Sequence, residues 1–310
     1  MIRRLAVVTS FALLLGAATA SALRVPAAPK CPIFPATNAW NQRVDSLPVA
    51  ADSAQLIASI GAATGLHPDF GSGLWDGGPI GIPFDVVSRA TPRSRVRFEY
   101  AGESDRAPYP IPKTVHIEGG AHSSGDRHAV LLDRSSCRLY ELYALRKSVR
   151  GWTAGSGAIF DLRSNRLRPA GWTSADAAGL PIFPGLVRYD EVARGRIDHA
   201  LRFTVDRTRK QYVYPARHYA SSSDDSSLPP MGLRVRLKAN VDITQFPRQA
   251  RIVLQALKTY GMIVADNGSS WYISGAPSPH WSNDDLHSLG RVVGADFEVV
   301  DTSSLPHPGS

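Results

Sequence analysis

Cysteine, long apolar runs and cofactor signatures are all scarce in this chain, and each scarcity narrows what it can be. Its 310 residues hold two cysteines, Cys31 and Cys137. An isolated pair in an oxidising compartment most often closes a disulfide, so a Cys31–Cys137 bridge is expected. After the first residues no stretch approaches the roughly 20 apolar residues of a membrane-spanning helix. There is no HxH or HExxH spacing for a metal, and no GxGxxG or GxxxxGK[ST] for a nucleotide. No cofactor is therefore expected, and no metal. The GSG at 155–157 lacks the GxSxG spacing of a nucleophile elbow. No repeat recurs at a fixed period, which argues against a solenoid or propeller.

What is present begins with Arg3 and Arg4, the apolar run FALLLGAATA, and small residues at Ala20 and Ala22. That order predicts a cleaved signal peptide over 1–22 and a secreted or periplasmic protein. Residues 23–30 (LRVPAAPK) look like a short linker, 31–303 a single globular β-rich domain, and 304–310 a tail. Composition is ordinary for a globular protein, at 43% hydrophobic and 20% charged. With Arg3 and Arg4 removed, 33 basic residues stand against 27 acidic ones. The resulting positive field suits a polysaccharide or cell-surface glycan partner. The Lys and Arg residues are scattered through the chain, which does not suit nucleic acid.

Short β-rich runs dominate from Pro83 onward: FDVVS, RVRFEYAG, TVHIEGG, HAVLLD, CRLYELYAL, SGAIFDLRSN, ALRFTVD, QYVYPARHYA and LRVRLKAN. They predict a mainly β fold, a single sandwich or jelly-roll-like domain with a few short helices. One helix stands out in the C-terminal half, QARIVLQALKTYG, with Ile252, Val253, Ala256, Leu257 and Tyr260 at helical spacing and Gly261 as its stop. Asp52 or Ser53 is expected to start a shorter helix ending at Gly61, and Ser282 or Asn283 another. MIVADNGSSWYIS suggests two strands joined at Asn267-Gly268, and HPDFGSGLWDGGPIG a long loop carrying aromatics.

FPATNAWN, GDRHAVLLD, CRLYELY, SGAIFDL, GWTSADAAGLPIFPGLVRYDE, PARH, PPMGLRVRLKA and YGMIVADNGSSWYISG are distinctive strings in combination. In them the chain resembles an uncharacterised family of exported bacterial proteins. That resemblance covers most of the chain after the leader and implies no activity, so chemistry must come from residue types.

The stretch 171–203 crowds Trp172, Asp176, Asp190, Glu191, His199 and Arg202 among turn formers. Two positioned carboxyl groups suffice for glycoside hydrolysis; Glu118, Asp126, Asp161, Asp176, Asp190 and Glu191 are the candidates, with Glu118, Asp161 and Asp176 favoured. His128, His199 and His218 are candidate acids or bases. Arg202 and Arg217 are candidate substrate contacts, and with a His or Tyr they would suit the alternative of a lyase acting on a uronate. Trp75 and Trp172 offer flat faces for sugar stacking. A secreted glycoside hydrolase is the leading expectation, and a non-catalytic glycan-binding protein the third reading. Asp176 is expected to share one cleft with Glu118, Asp161 and His199, and Asp176→Asn to spare the fold.

Overall fold

A computed structural model describes residues 23–309. The expected signal peptide lies outside the described residues.

The fold is mainly β. A six-stranded sheet runs in the order His67–Asp69, Tyr272–Ser274, Leu201–Val205, Met262–Asn267, Arg234–Leu237, Phe297–Val299. A four-stranded sheet runs Gly157–Asp161, Arg138–Leu142, Ala129–Asp133, Phe84–Val87. Parallel pairings join His67–Asp69 to Tyr272–Ser274, Leu201–Val205 to Met262–Asn267, and Phe84–Val87 to Ala129–Asp133. The strand order thus departs from the antiparallel Greek keys of a jelly roll.

Side chains alternate across a strand, and the four-stranded sheet uses both faces. Val130, Leu132 and Leu139 enter the main core. Ala129, Leu131, Tyr140 and Leu142 enter a second apolar cluster with Tyr109 and Ile111. A sheet buried on both sides needs unbroken apolar runs, which is why HAVLLD does not alternate.

The helix expected in the C-terminal half spans Arg248–Thr259 and buries Ala250, Val253, Leu254, Ala256 and Leu257. Ile252 and Tyr260 are only partly covered. Gly261 ends the helix at φ 64°, where a Cβ would meet the Val235 carbonyl oxygen at 2.2 Å. Leu257→Ala should therefore cost about 2–5 kcal/mol, read as a lowered denaturant midpoint; an unchanged midpoint would mean the face is misassigned. Ser53–Gly61 buries Leu56, Ile57 and Ile60 as anticipated. The Ser282 hydroxyl accepts the Asp285 N–H at the start of Asn283–His287.

Several sequence expectations give way. Residues 23–30 are no linker, since Leu23, Val25 and Ala28 are buried in the core. The tail is docked too, with the Pro306 carbonyl accepting from the Gln42 amide at 2.9 Å. Met262–Asn267 and Tyr272–Ser274 do not pair as a hairpin, because Leu201–Val205 inserts between them. TVHIEGG forms no strand, and QYVYPARHYA makes only an isolated bridge between Tyr212 and Met231. The supposed loop at 67–81 carries short strands, including a hairpin of Leu74–Trp75 with Gly78–Pro79. Cys31 and Cys137 are bonded as expected. Among the described residues no helix is long and apolar enough to cross a membrane.

Candidate functional site

Three neighbouring strands of the large sheet and the turn at 171–181 bring opposite charges together beneath a cleft. Arg202 projects from Leu201–Val205, and Asp176 comes from the turn. Their contact is a two-pronged fork: Arg202 Nε donates to Asp176 Oδ2 at 2.9 Å and Nη2 to Oδ1 at 2.7 Å. Arg202 also donates to the Ser274 hydroxyl. Both ionic partners are nearly inaccessible, at 4% and 1% exposure. Burial alone would lower the Arg202 pKa, but the Asp176 charge outweighs it and the net shift is upward. Such a fork is the strong form of a charge-assisted bond, and it consumes the guanidinium.

Asp266, near the end of Met262–Asn267, faces the cleft from the strand beside Arg202. Burial, reinforced by the Asp176 charge, pushes its carboxyl up to about 8. At neutral pH it therefore carries a proton. The cleft encloses about 430 Å³ and is lined by Asp126, Asp176 and Asp266 together with Tyr100, Tyr143 and His218. The Asp126 side chain is exposed and makes no ion pair among the described residues. A buried, protonated carboxyl and an exposed carboxyl thus share one cavity, two different settings for acids of the same type, which is how such a pair can take opposite roles.

Glu118 lies at the edge of this group. Its Oε2 accepts from His128 Nδ1 at 2.6 Å, and His128 Nε2 donates to the Ala175 carbonyl at 2.9 Å. Burial would lower the His128 pKa, but the Glu118 carboxylate outweighs it and holds the ring at about 9. His128 also draws the Glu118 carboxyl below its ordinary range against the opposing effect of burial. Ligand atoms of Glu118, Asp126 and His128 lie within 4.8 Å of one another. Three such groups could hold a cation only if each had a lone pair to offer. Both His128 nitrogens already face acceptors, which leaves the two carboxylates alone.

The remaining expected residues fall elsewhere. Asp161 is exposed, and its Oδ1 accepts the Arg163 N–H at 3.0 Å in a local turn. It ends the four-stranded sheet's edge strand and does not line the cleft. His199 is buried in a separate knot, where Nε2 meets Glu191 Oε2 at 3.0 Å and Arg188 Nη2 meets Glu191 Oε1 at 2.6 Å. His199 therefore does not join Asp176, because its strand-preceding position points it at the Tyr189–Arg194 helix. Arg217 Nε is spent on the Arg168 carbonyl at 2.9 Å. Trp172 is half-buried under the Arg168 guanidinium, 5.5 Å from its ring centre, and does not line the cleft. His218 does line it, with Nδ1 donating to the Ala177 carbonyl at 2.7 Å. Trp75 is 79% exposed beside a second groove that also takes in Glu118.

Two carboxyls were overlooked in the sequence. Glu141 is fully buried and accepts the Ile182 and Phe183 N–H groups, the latter at 2.8 Å. Burial pushes it up to about 7. Asp266 sits in MIVADN as Glu141 sits in LYELY, an acid inside an apolar strand. A buried polar residue is the informative exception in such runs, and that signal was available. The chain matches no family model, and neither a curated protein nor a solved structure is significantly similar to it.

Proposed function

We propose that the protein is a secreted carbohydrate-active enzyme, a glycoside hydrolase acting on an extracellular polysaccharide. One observation carries this reading: Asp266, a carboxyl still protonated at neutral pH, lines the same cavity as the exposed Asp126. Asp266 would act as general acid, giving its proton to the glycosidic oxygen, while Asp126 would serve as the base or nucleophile. Asp176 would be a positioning residue, its charge helping keep the proton on Asp266. The leader-like N terminus, the disulfide and the resemblance to exported bacterial proteins support secretion. The lyase alternative has less support, because Arg202 and Arg217 are bonded to the protein and neither lines the cavity.

The test is the purified protein on a panel of polysaccharides, followed by reducing ends and by absorbance of unsaturated uronates. Asp266→Asn should lower turnover by about a hundredfold or more with little change in melting temperature. Since only the protonated acid can donate, wild-type activity should fall as pH rises through about 8. Turnover by the Asn variant equal to wild type would remove Asp266 from the chemistry.

A further inference from the structure

The second groove encloses about 520 Å³ and is lined by Trp75, His67, Tyr272, Asp69, Glu118 and Gly119, among others. It comes near the first cleft at Glu118. Glu118 belongs to the groove and Asp126 to the cleft, and their carboxylate oxygens lie within 4.8 Å of each other. The two hollows therefore converge on neighbouring carboxylates.

Its aromatic wall is built rather than incidental. His67 and Tyr272 stack with ring centres 4.0 Å apart across a parallel strand pair. Trp75 stands on a hairpin whose two loop residues, Asp76 and Gly77, have φ 49° and 79°. Positive φ at both positions marks the tight turn that matches strand twist. The hairpin packs against the Glu118 turn backbone to backbone, for a Cβ on Gly78 would lie 2.1 Å from the Gly119 carbonyl carbon. The indole stands exposed beside Leu74, itself 71% exposed, and neighbouring apolar groups left open next to a groove suit a binding surface.

Charge narrows what can lie there. The chain has 35 lysines and arginines, yet none lines either hollow. Carboxylates do, from Asp69 and Glu118 on one side to Glu103, Asp126 and Asp176 on the other. Asp176 is paired with Arg202 and Glu118 with His128, but Asp69 and Asp126 make no ion pair among the described residues, so a polyanion would find unpaired carboxyl groups and no lining Lys or Arg to receive it.

We infer that the second groove continues the catalytic cleft and binds an extended, uncharged glycan that crosses the carboxylates, with Trp75 as the stacking platform for a sugar ring beyond the scissile bond. The inference rests on the glycan reading above. An enzyme gripping its polymer on both sides cuts within the chain rather than at its end.

The experiment is affinity electrophoresis of Asp266→Asn in gels containing soluble β-glucan, xylan, mannan, arabinan or dextran, or the polyanions polygalacturonate and heparin. At least one neutral polymer should retard the protein, and adding Trp75→Ala should weaken that retention about tenfold. Trp75→Phe should restore part of it. On the retained polymer, wild-type protein should lower viscosity before reducing ends accumulate. Retention by polyanions only, by no polymer, or unaltered by Trp75→Ala overturns the inference. Trp75-dependent retention without hydrolysis would instead sink the hydrolase reading and keep the groove, whereas hydrolysis indifferent to Trp75 would do the reverse.

Discussion

Asp176→Asn is expected to destabilise the protein by about 3–5 kcal/mol, the cost of stripping one partner from a buried ion pair. The sequence alone favours the opposite, since Asn caps turns about as well as Asp. The difference lies in Arg202, whose guanidinium is almost entirely shielded from water and whose fork closes on both Asp176 oxygens. An amide can accept at one position and would turn its NH2 toward the other N–H donor. The buried cation would then lack a counter-charge. Asp266→Asn is the matched control: that carboxyl is already neutral at pH 7, so the same substitution on the strand beside Arg202 removes no charge. Urea unfolding of both variants against wild type decides the matter. Equal midpoints for Asp176→Asn and Asp266→Asn would show that the fork contributes nothing to folding.

Breaking the disulfide should cost a comparable amount. Cys31 and Cys137 are separated by 106 residues, and closing a loop of that length restrains the unfolded chain by about 4–5 kcal/mol in the entropy model. The effect should also be local, because Cys31 fastens a segment in which Leu23, Val25, Ala28 and Ile33 fill the main core. A Cys31→Ala, Cys137→Ala double variant should melt well below wild type, and its first ten described residues should lose amide-exchange protection before the sheets do. Free thiols in non-reduced peptides of the wild-type protein, or a double variant of undiminished stability, would count against the bridge.

Much of the framework is legible in the residues. The helix at Arg248–Thr259 follows from apolar positions at helical spacing and a glycine stop, both local signals. The disulfide follows from scarcity. Asp176 is recognisable as special, yet its role is not, because the partner that defines it lies 26 residues away on another element. His199 is chosen for its proximity in sequence to Asp176, while the fold turns it toward Glu191. Glu118 lines the neighbouring groove rather than the cleft, and its segment forms no strand. Asp161 fails for a simple reason: a strand end at a sheet edge leaves its carboxylate to water and to its own turn. Asp266 and Glu141 are hard to single out in sequence because each is one acid inside an otherwise apolar strand. The Asp76-Gly77 pair is itself a hairpin signal, masked by the glycines around it.

The two strands of the hairpin that carries Trp75 are under different constraints. On one strand Gly78, paired with Trp75 across the ladder, touches Gly119 backbone to backbone and tolerates no side chain, whereas around Gly73 and Gly77 there is open space. Drift in sequence should therefore be confined to the opposite strand. Descendants could exchange Leu74 or Trp75 for other side chains and acquire new ligand preferences, while the Gly78–Gly119 contact keeps the hairpin beside Glu118. The molecule thus separates the part that can diversify from the part that cannot.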